Sequence, residues 1–546
     1  MMTSQYPQTL TPKMVDGITG FRLCAYLMGL EGWRRGLVLK YYGDINKYSK
    51  IRTQGKKIIG RNYSLESENE IHYFNQSRGD IVSNEAVRVA QNKQTTKEYL
   101  NKYGVYTLPS KEFTKHDTDE EIIKATHEIV YPVIVKPTYG TLSKGVVLNI
   151  RNEYELADAL NYVRNKLGFK NVIIERYFEG HDIRLYVVND VTVAALKRVP
   201  AQVIGDGKST IKELILQKND SRENNPYLAA RPIKIDNEVR KSLESNDYKL
   251  SSILESKKKI LVKNKSTMDQ GVDLYDITDS IQDHIKQLAI DTLKALPDIA
   301  HGSIDMLYDG NEAVVIEVNP SANISMHMFP TEGKPRNIPS YIMDFYFPET
   351  KGKALVNKYV YFDYLNIVGI LTKNYTNYIE VKSLSSGPLH AMRYIVTGKI
   401  GKVGYMEWLK RQASLNNLHG YGRKLDNENI EIVVASNDTE KVKGFKKACM
   451  KGPKKAKVNN VSGSVFQGEI KFGFEIKSNK HIESHDLTEM HELKKKIETL
   501  EKKCGDLKRR ESKYKKKYHA IENSKSWQIT QPVRKAGALV RRISGR

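Results

Sequence analysis

Between residues 92 and 319, short β-rich runs alternate with stretches whose apolar residues recur at helical spacing. Val172–Glu175 and Ile183–Val188 are typical of buried strands, whereas Glu153–Leu167 has the spacing of a helix that buries one face. The same signals predict helices at Asn92–Tyr103 and Ile281–Leu296, and strands at Val133–Lys136, Val146–Ile150, Val191–Leu196, Ser303–Tyr308 and Ala313–Val318. A chain patterned in this way covers its sheets with helices, so the sequence predicts the α+β class.

The size and charge of the chain narrow the classes of protein to which it can belong. Its 546 residues allow about three to five domains at roughly 100–200 residues each. The net charge of +24 favours an anionic partner or a phosphate-rich ligand. Three widely separated cysteines exclude a disulfide framework and predict a reducing, cytoplasmic compartment. No apolar run approaches the ~20 residues that a membrane-spanning helix needs.

A glycine-bearing loop follows the predicted strand that ends at Lys136. The loop reads Gly140-Thr141-Leu142-Ser143-Lys144-Gly145, and Lys93 stands earlier in the chain at the start of a predicted helix. A loop of this kind lets backbone N–H groups approach phosphate oxygens without obstruction by side chains. The sequence alone leaves open a second interpretation, in which the loop is an ordinary turn.

Two acids and an amide lie on the predicted hairpin around the turn Asp309-Gly310-Asn311. Asp305 is on the first strand, and Glu317 and Asn319 end the second, so the hairpin brings them close together. Oxygen ligands of these types are what Mg²⁺ prefers. The alternative is two solvated acids, but Glu317 ends an apolar run, and a buried carboxylate needs a partner.

Several long segments resemble ATP-grasp ligases and occur in the order of that family. VIVKPTYGTLSKGVV resembles the first phosphate-binding segment, VIIERYFEGHDIRLYVV the adenine hinge, and IDMLYDGNEAVVIEVNPSANISMH the metal-binding end. LKRVPAQVIGDGKSTIKELI, LAARPIKID, DITDSI and MHMFPTEGKPRNIP are similar to the ATP-grasp domain of the cyanophycin synthetase family. They are also similar to the ATP-grasp half of bifunctional glutamate–cysteine ligase/glutathione synthetase. The resemblance covers roughly Ser83–Pro348, and the further domains of those two families have no counterpart in this chain.

The resemblance implies a set of site residues. Those that would hold the phosphates of ATP are Lys93, Lys136, Gly140, Ser143, Lys144 and Gly145. Glu175 and the backbone of Arg176, Tyr177 and Phe178 would hold adenine, and Asp182 would bind the ribose. Asp305, Glu317 and Asn319 would bind Mg²⁺, with Mn²⁺ as an alternative. Arg184, Lys197 and Arg198 would stabilise the transferring phosphoryl group and the tetrahedral intermediate; a surface ion pair is the alternative for Arg184 and Arg198.

The implied reaction is ATP-driven ligation of a carboxylate to an amine. The carboxylate attacks the γ-phosphate of ATP, and an amine then displaces phosphate from the acyl phosphate to form an amide. The substrates are open between a peptide or amino acid and the carboxylate of a cell-surface polysaccharide. A different class remains as the alternative, namely a polyanion- or nucleic-acid-binding protein whose nucleotide domain is not catalytic. Nucleic acid is not expected, because the basic residues are not interleaved with aromatic ones.

A second unit, Val396–Val461, resembles acylphosphatase, a ferredoxin-like α/β sandwich. A glycine-rich turn, a helix, His-Gly-Tyr-Gly, a strand, a helix and Gly452-Pro453 follow one another in the order of that family. The arginine that binds phosphate in the family falls on Met406, and the asparagine that orients water falls on Lys424. The resemblance therefore implies the fold without the activity. The unit also carries a cluster of lysines that fits either an anionic polymer or a solvated basic face: Lys441, Lys443, Lys446, Lys447, Lys451, Lys454, Lys455 and Lys457.

The last 69 residues have 19 basic and 9 acidic side chains, and they begin with a coiled-coil pattern. Leu487, Met490, Leu493, Ile497, Leu500, Cys504 and Leu507 recur at spacings of three and four, which predicts a homo-oligomer; a single solvated helix is the alternative. The segment after Asn523 is basic and amphipathic, as expected for a segment on an anionic membrane surface, or it is a disordered tail. It also resembles the short ends of bacterial glycosyltransferases from polysaccharide pathways.

The sequence thus predicts six segments and a cytoplasmic protein, with association at the inner face of the membrane as an option. The segments are an N-terminal α+β region (1–82), an ATP-grasp domain (83–350), a connector (351–390), an acylphosphatase-like domain (391–477), a coiled coil (478–523) and a basic amphipathic tail (524–546).

Overall fold

The computed structural model describes residues 6–53, 58–138, 145–266, 270–384, 387–401, 403–425 and 429–477. The predicted coiled coil and amphipathic tail lie outside these residues. Within the described chain, the residues up to Gly422 and those from Asn429 to Ile476 form one compact unit. No helix in the described ranges is both long enough and apolar enough to cross a bilayer.

The N-terminal region packs one long helix against a sheet. Its elements are α1 (Pro12–Val15), α2 (Gly20–Arg34), β1 (Val38–Tyr42), β2 (Asn62–Glu66), β3 (Ile71–Asn75) and β4 (Arg78–Gly79), with a short 3₁₀ turn at Ile45–Lys47. Helix α2 is apolar around most of its circumference and is buried from Leu23 to Arg34. A helix of this kind belongs in a core. Tyr41 and Tyr63 from the inner face of the sheet lie in the same core.

The first half of the ATP-grasp region is a four-stranded antiparallel sheet covered by helices. Its elements are α3 (Asn84–Gln91), α4 (Lys93–Lys102), β5 (Ser110–Phe113), α5 (Asp119–Thr126), β6 (Val133–Pro137), β7 (Val147–Ile150), α6 (Glu153–Leu160) with a π-helical continuation (Asn161–Lys166), and β8 (Val172–Arg176). The strand order is β5-β8-β6-β7. Asn92 caps α4, because its side chain accepts hydrogen bonds from the N–H groups of Gln94 and Thr95.

The second half contains a five-stranded antiparallel sheet of order β13-β10-β9-β14-β15. Its elements are β9 (His181–Val188), β10 (Val191–Val199), β11 (Gln202–Ile204), α7 (Ile211–Glu223), α8 (Asn237–Glu244), β12 (Lys259–Leu261), β13 (Asp273–Asp276), α9 (Asp283–Lys294), β14 (His301–Tyr308), β15 (Ala313–Asn319), α10 (Ser325–Met328) and α11 (Ile338–Tyr346). Strands β11 and β12 pair with each other, and with α7 and α8 they enclose a small separate core. The helices and strands predicted between residues 92 and 319 are all present, with ends shifted by a few residues.

The segment 351–390, expected to be a connector, supplies a strand to the N-terminal sheet. It contains β16 (Val360–Tyr361), α12 (Tyr364–Thr372) and β17 (Tyr378–Val381), preceded by 3₁₀ turns at Pro348–Thr350 and Lys353–Asn357. Strand β17 pairs antiparallel with β1, which gives the sheet order β17-β1-β2-β3-β4. Residues on both sides of the ATP-grasp region therefore build one sheet.

The C-terminal described domain is an α/β sandwich. Its elements are β18 (His390–Lys399), α13 (Tyr405–Leu415), β19 (His419–Lys424), β20 (Ile430–Ser436), α14 (Thr439–Lys451), β21 (Lys457–Val465), β22 (Ile470–Lys471) and β23 (Phe474–Lys477). The sheet order is β21-β18-β20-β19-β23, and both helices bury their apolar stripes in one core. Strand β22 pairs in parallel with β16, which ties this domain to the N-terminal region.

Candidate active site

One face of the five-stranded sheet carries a cluster of charged side chains. In register across the sheet, Arg198 faces Asp182, Arg184 faces Asp305, and Asp305 faces Glu317. Residues directly opposite each other in an antiparallel sheet lie on the same face. The topology therefore brings five of the predicted residues from four strands onto one surface.

Asp305 is the centre of this cluster. The Nε and Nη2 atoms of Arg184 donate to its two oxygens at 2.6 Å each. Nη2 of Arg198 lies 3.1 Å from Oδ1, and Nδ2 of Asn319 donates to Oδ2 at 3.1 Å. These four nitrogens match the roughly four acceptor positions of a carboxylate. Burial opposes ionisation, yet the two arginines hold the pKa of Asp305 below its usual value.

Asp182 belongs to the same cluster through Arg198. Its Oδ1 accepts two hydrogen bonds from Arg198, one of them from Nε at 2.9 Å, and its Oδ2 accepts from the Ser266 hydroxyl at 2.7 Å. Burial and the nearby negative charge of Asp305 raise the pKa of Asp182, although Arg198 opposes them. The acid expected at the ribose is thus bound by an arginine of the cluster.

Lys197 is not brought to this face. It stands opposite Ile183 and Tyr275 in register, and Ile183 is buried in the core on the α9 side of the sheet. Successive residues of a strand point to opposite faces, so Lys197 alternates away from Arg198. The prediction that Lys197 acts together with Arg184 and Arg198 therefore conflicts with the structure, because Lys197 lies on the opposite face of the sheet.

Glu317 and Lys93 lie at the edge of the cluster and face each other's charge. In the described part of the chain, the side chain of Glu317 makes no hydrogen bond or ion pair. Burial and Asp305 raise the pKa of its carboxyl, and Lys93 opposes this rise. Burial and the positive charge of Lys136 lower the pKa of Lys93. The carboxyl of Glu317 and the ammonium of Lys93 are each partly buried without an ion-pair partner, among the residues described, close enough to balance the charge. Such a pair suits a phosphate ligand with a bound metal ion, because the carboxylate can bind the metal and the ammonium the phosphate.

Lys136 lies on β6 and is paired with buried Glu175 on β8. Glu175 also accepts a hydrogen bond from Lys97, whose Nζ donates in addition to the carbonyl of Leu108 and to the Ser110 hydroxyl. Lys97 thus uses all three of its donors, whereas Lys136 makes one hydrogen bond to the residues described. Lys136 therefore retains donors for a phosphate. Burial raises the pKa of Glu175, but the two lysines outweigh it and hold that pKa below its usual value.

The hinge after β8 offers one backbone donor. The N–H of Arg176 donates to the Pro109 carbonyl at 2.9 Å, and that of Tyr177 to the Pro132 carbonyl at 2.8 Å. Within the described ranges the N–H of Phe178 has no acceptor. Among these three N–H groups, that of Phe178 is therefore the one that can donate a hydrogen bond to adenine.

The glycine-bearing loop lies largely outside the described residues. This applies to Gly140, Ser143 and Lys144. Gly145 is described and has φ +80°, and a Cβ at this position would lie 2.9 Å from Cγ of Pro137. Glycine is therefore required where the chain enters β7.

The metal ligands expected on the hairpin fit a divalent cation in part. No group of three or more His, Cys, Asp and Glu side chains in the described ranges is arranged to hold a metal ion. Asp305 is fully bonded to Arg184, Arg198 and Asn319, so it can bind a metal only by losing one of these contacts. Glu317 is the uncompensated carboxylate, and the Asn319 amide keeps its carbonyl oxygen when its nitrogen is bound to Asp305.

The acylphosphatase-like domain has an apolar side chain where the family has its arginine. Met406 is the second residue of α13 and packs, partly buried, against the domain core; its methyl carbon would lie 2.9 Å from a Cβ placed on Gly422. The thioether therefore packs against β19. Lys424, where the family's asparagine falls, is in the same strand.

Sequence reasoning missed Lys97 and Ser266. Lys97 is one helical turn after Lys93, and this spacing of four was a signal that could have found it. Ser266 reaches Asp182 from 84 residues along the chain, and no local pattern indicates that contact.

Comparison with known proteins places two families along the chain. The model described as carbamoyl-phosphate synthase L chain, ATP binding domain, matches residues 92–199, and the acylphosphatase model matches residues 392–476. Cyanophycin synthetase of Crocosphaera subtropica is 31% identical over 278 residues, which are 48% of this chain and 31% of that protein. The glutathione biosynthesis bifunctional protein GshAB of Pasteurella multocida is 27% identical over 277 residues, 48% of this chain and 36% of that protein.

The chain spans about a third of the length of the curated relatives it matches. Among solved structures, a bifunctional glutathione synthetase from Pasteurella multocida matches with 26% identity and a TM-score of 0.44, over 53% of this chain and 41% of that one. The chain carries an ATP-grasp domain similar to those of cyanophycin synthetase and GshAB, followed by an acylphosphatase-like domain.

Proposed function

We propose that the protein is an ATP-dependent carboxylate–amine ligase that forms an amide bond through an acyl phosphate. The observation that carries the proposal is the convergence of Arg184, Arg198 and Lys93 around Glu317, a carboxylate with no ion pair in the described chain. Two relatives with this kind of domain are named for the synthesis of cyanophycin and of glutathione.

On the nucleotide side, Lys136 and Lys93 contact the phosphates of ATP. Glu175 holds Lys136 in place through its ion pair, and Lys97 fixes Glu175 from the other side. Phe178 donates its free N–H to adenine, and the remaining hinge residues Arg176 and Tyr177 shape the pocket through their backbone bonds. Gly140, Ser143, Lys144 and Gly145 bind the phosphates in this proposal, and Asp182 binds the ribose.

On the metal side, Glu317 and Asn319 hold Mg²⁺ or Mn²⁺, and Asp305 joins them if it releases a donor. A divalent cation at this position neutralises phosphate charge when it is bound. Lys93 and the two arginines oppose the rise in the pKa of Glu317 that burial and Asp305 cause, and this favours the ionised form that the role requires.

On the reacting side, Arg184 and Arg198 stabilise the oxygens that gain charge. The substrate carboxylate attacks the γ-phosphate and ADP leaves, which gives the acyl phosphate. The amine then attacks the acyl carbon, phosphate leaves, and the nitrogen loses a proton to solvent as the amide forms. Both guanidinium groups are fixed by Asp305 and Asp182, so little reorganisation is needed when charge develops. Lys197, on the other face, takes no part in these steps.

The carboxylate substrate is an amino acid or peptide, or a carboxylate of a cell-surface polysaccharide. The acylphosphatase-like domain lacks hydrolase activity because Met406 and Lys424 replace the two residues that the family uses. The protein works in the cytoplasm as a homo-oligomer formed by the coiled coil, and its basic tail contacts an anionic membrane surface.

A screen for substrate-dependent release of ADP tests the proposal. Amino acids, short peptides and uronic acids are supplied in pairs with ATP, and mass spectrometry identifies any product that has gained an amide. We expect Glu317→Ala and Lys136→Ala to lower turnover by at least ~10²-fold, the size typical for lost charge stabilisation, while the protein stays folded. Lys197→Ala is the matched control and should keep its turnover. Undiminished turnover in either site variant would refute the assignment.

A further inference from the structure

A strongly charged surface lies on the acylphosphatase-like domain, far from any role in the steps above. Between Thr439 and Lys457 the chain has eight lysines and one acid, Glu440. We call these lysines the lysine face: Lys441, Lys443, Lys446, Lys447, Lys451, Lys454, Lys455 and Lys457. All eight are solvent-exposed.

Helix α14 arranges these charges in a row. Its apolar side chains Val442, Phe445 and Cys449 are buried in the domain core and fix the orientation of the helix. Lys443, Lys447 and Lys451 recur every four residues on the opposite side, so they follow one another at about 6 Å along the helix axis. Lys441 and Lys446 are on the same helix, and Lys454, Lys455 and Lys457 follow it along the chain up to the start of β21.

The row of lysines destabilises the helix through repulsion between like charges. A role in solubility alone does not explain why so many lysines stand there. Like charges four residues apart destabilise a helix by roughly 0.2–0.5 kcal/mol per pair. The acids nearby are at the first turn, where Asp438 lies 3.8 Å from Lys441 and Glu440 lies 3.8 Å from Lys443. The other six lysines have no ion pair with the residues that are described. By contrast, helix α7 mixes three basic and three acidic residues. A surface that served only solubility would mix the signs in this way.

We propose that the lysine face binds an anionic polymer whose charges are carboxylates, and that it supplies this polymer to the ligase. The choice of carboxylate and the link to the ligase rest on the proposed function, whose substrate is a carboxylate; the binding of a polyanion does not. The face has no arginine, so it lacks the planar fork that binds carboxylate or phosphate bidentately, and its lysines act as point charges, which suit charges dispersed along a flexible polymer. It also has no exposed aromatic side chain on which a nucleobase could stack, because Phe445 is buried. Met450 is its one exposed large apolar side chain, which is too little to enter a membrane.

Fluorescence anisotropy with two labelled probes tests the proposal on the full chain without ATP. The probes are an oligogalacturonate and a single-stranded RNA of equal charge number, each titrated at about 50 and 200 mM NaCl. The face variant is K443Q/K447Q/K451Q/K454Q. The control K257Q/K258Q/K259Q/K265Q removes four exposed lysines from the segment around β12 in the ATP-grasp domain. Thermal melting checks that both variants are folded.

We expect the parent to bind oligogalacturonate with an affinity that falls as salt rises. The face variant should bind about tenfold more weakly or worse, because four fewer cations meet the polymer. The affinity of the control variant should stay within about twofold of that of the parent. Equal binding by the face variant, or no binding by the parent, overturns the proposal. Tighter binding of RNA that depends on the same lysines overturns it in favour of a nucleic acid.

ADP release with small carboxylates, measured on the same preparations, separates the two proposals. The face variant should retain it, because these lysines lie outside the nucleotide site. If the parent binds the polymer yet releases no ADP with any carboxylate, the lysine face stands and the ligase assignment fails.

Discussion

The four nitrogens bound to Asp305 fix the two arginines of the site and limit the capacity of this carboxylate to bind a metal. Arg184 and Arg198 are held by carboxylates on neighbouring strands, so their positions are set by the sheet. Such preorganised cations are effective in catalysis because no reorganisation accompanies the reaction. The same bonding means that Asp305 and Glu317 are unequal as metal ligands, although the sequence presents both as acids on one hairpin.

Glu175 should contribute to stability and to nucleotide binding at once. It is 3% exposed and pairs with Lys97 and Lys136, so Glu175→Gln leaves two partly buried ammonium groups without this counter-ion. Removing one partner of a buried ion pair typically costs 3–5 kcal/mol, and we expect the free energy of unfolding to fall by about 3 kcal/mol. Denaturant unfolding measures this loss. An unchanged midpoint would show that the lysines find other partners.

The pH dependence of unfolding gives a second measurement on the same variant. The pKa of Glu175 is lower in the folded protein than in the unfolded chain. Its contribution is therefore complete above the unfolded pKa, about 4.3, and is lost as pH falls through the lower folded value. The stability difference between parent and Glu175→Gln should be constant near neutral pH and shrink below about pH 4. A difference that grew in acid would contradict the direction of the shift.

At the scale of elements, the hairpin β14–β15 shows how much of the site the sequence could predict. The strands, the turn and the proximity of Asp305 to Glu317 were all expected. Regular pairing from Tyr308 with Ala313 onward would place Glu317 opposite Ile304, on the other face. A β-bulge at Ile316 shifts the register, so that Glu317 instead faces Asp305. A single extra residue of this kind leaves no mark in hydrophobic periodicity, although bulges are common next to active sites.

The pairing of strands that are distant along the chain could not be predicted from the sequence either. Strand β17 lies more than 300 residues from β1, and the segment that holds it reads as a connector because its pattern gives no partner. Register between distant strands depends on the packing of a whole face, which one segment does not encode. By contrast, the helix around Lys93 and the strand at Lys136 follow from local spacing and caps, so these were predictable.

The parallel pair β16–β22 and one aromatic contact should hold the acylphosphatase-like domain against the N-terminal region. The Phe472 ring centroid lies 5.3 Å from that of buried Trp33, and its N–H donates to the Tyr361 carbonyl at 2.7 Å. Phe472→Ala should lower the free energy of unfolding by about 2 kcal/mol, since it removes aromatic contacts and apolar burial. It should also expose Trp33 to acrylamide, measured by fluorescence quenching.

A second phenylalanine of the same domain provides the control for this prediction. Phe466 packs near Tyr421, Val433 and Ile470 within its own domain and makes no ring contact with Trp33 among the described residues. Phe466→Ala should destabilise the domain without exposing Trp33. Equal quenching in both variants would mean that Phe472 does not couple the two regions.

At the scale of the whole molecule, the ATP-grasp domain, which we propose forms an acyl phosphate, shares one chain with an acylphosphatase-like domain. An active hydrolase beside the proposed ligase would destroy the ligase's own intermediate and waste ATP. We propose that Met406 removes this conflict, because a thioether beside Gly422 cannot provide the bidentate contacts by which an arginine binds phosphate. In our proposal, the domain instead binds an anionic polymer through the lysine face, and this binding requires no hydrolase activity.

We therefore expect the full-length protein to hydrolyse no model acyl phosphate above the uncatalysed rate. Benzoyl phosphate is a suitable probe, with ATP omitted and Glu317→Ala introduced so that the ATP-grasp site cannot contribute. Met406→Arg combined with Lys424→Asn restores the two residues that the resemblance assigns to the family, and this variant should gain binding of inorganic phosphate, measured by calorimetry. Hydrolysis by the Glu317→Ala protein with Met406 and Lys424 intact would show that the domain is active by another route, and the ligase would then need protection from its own partner domain.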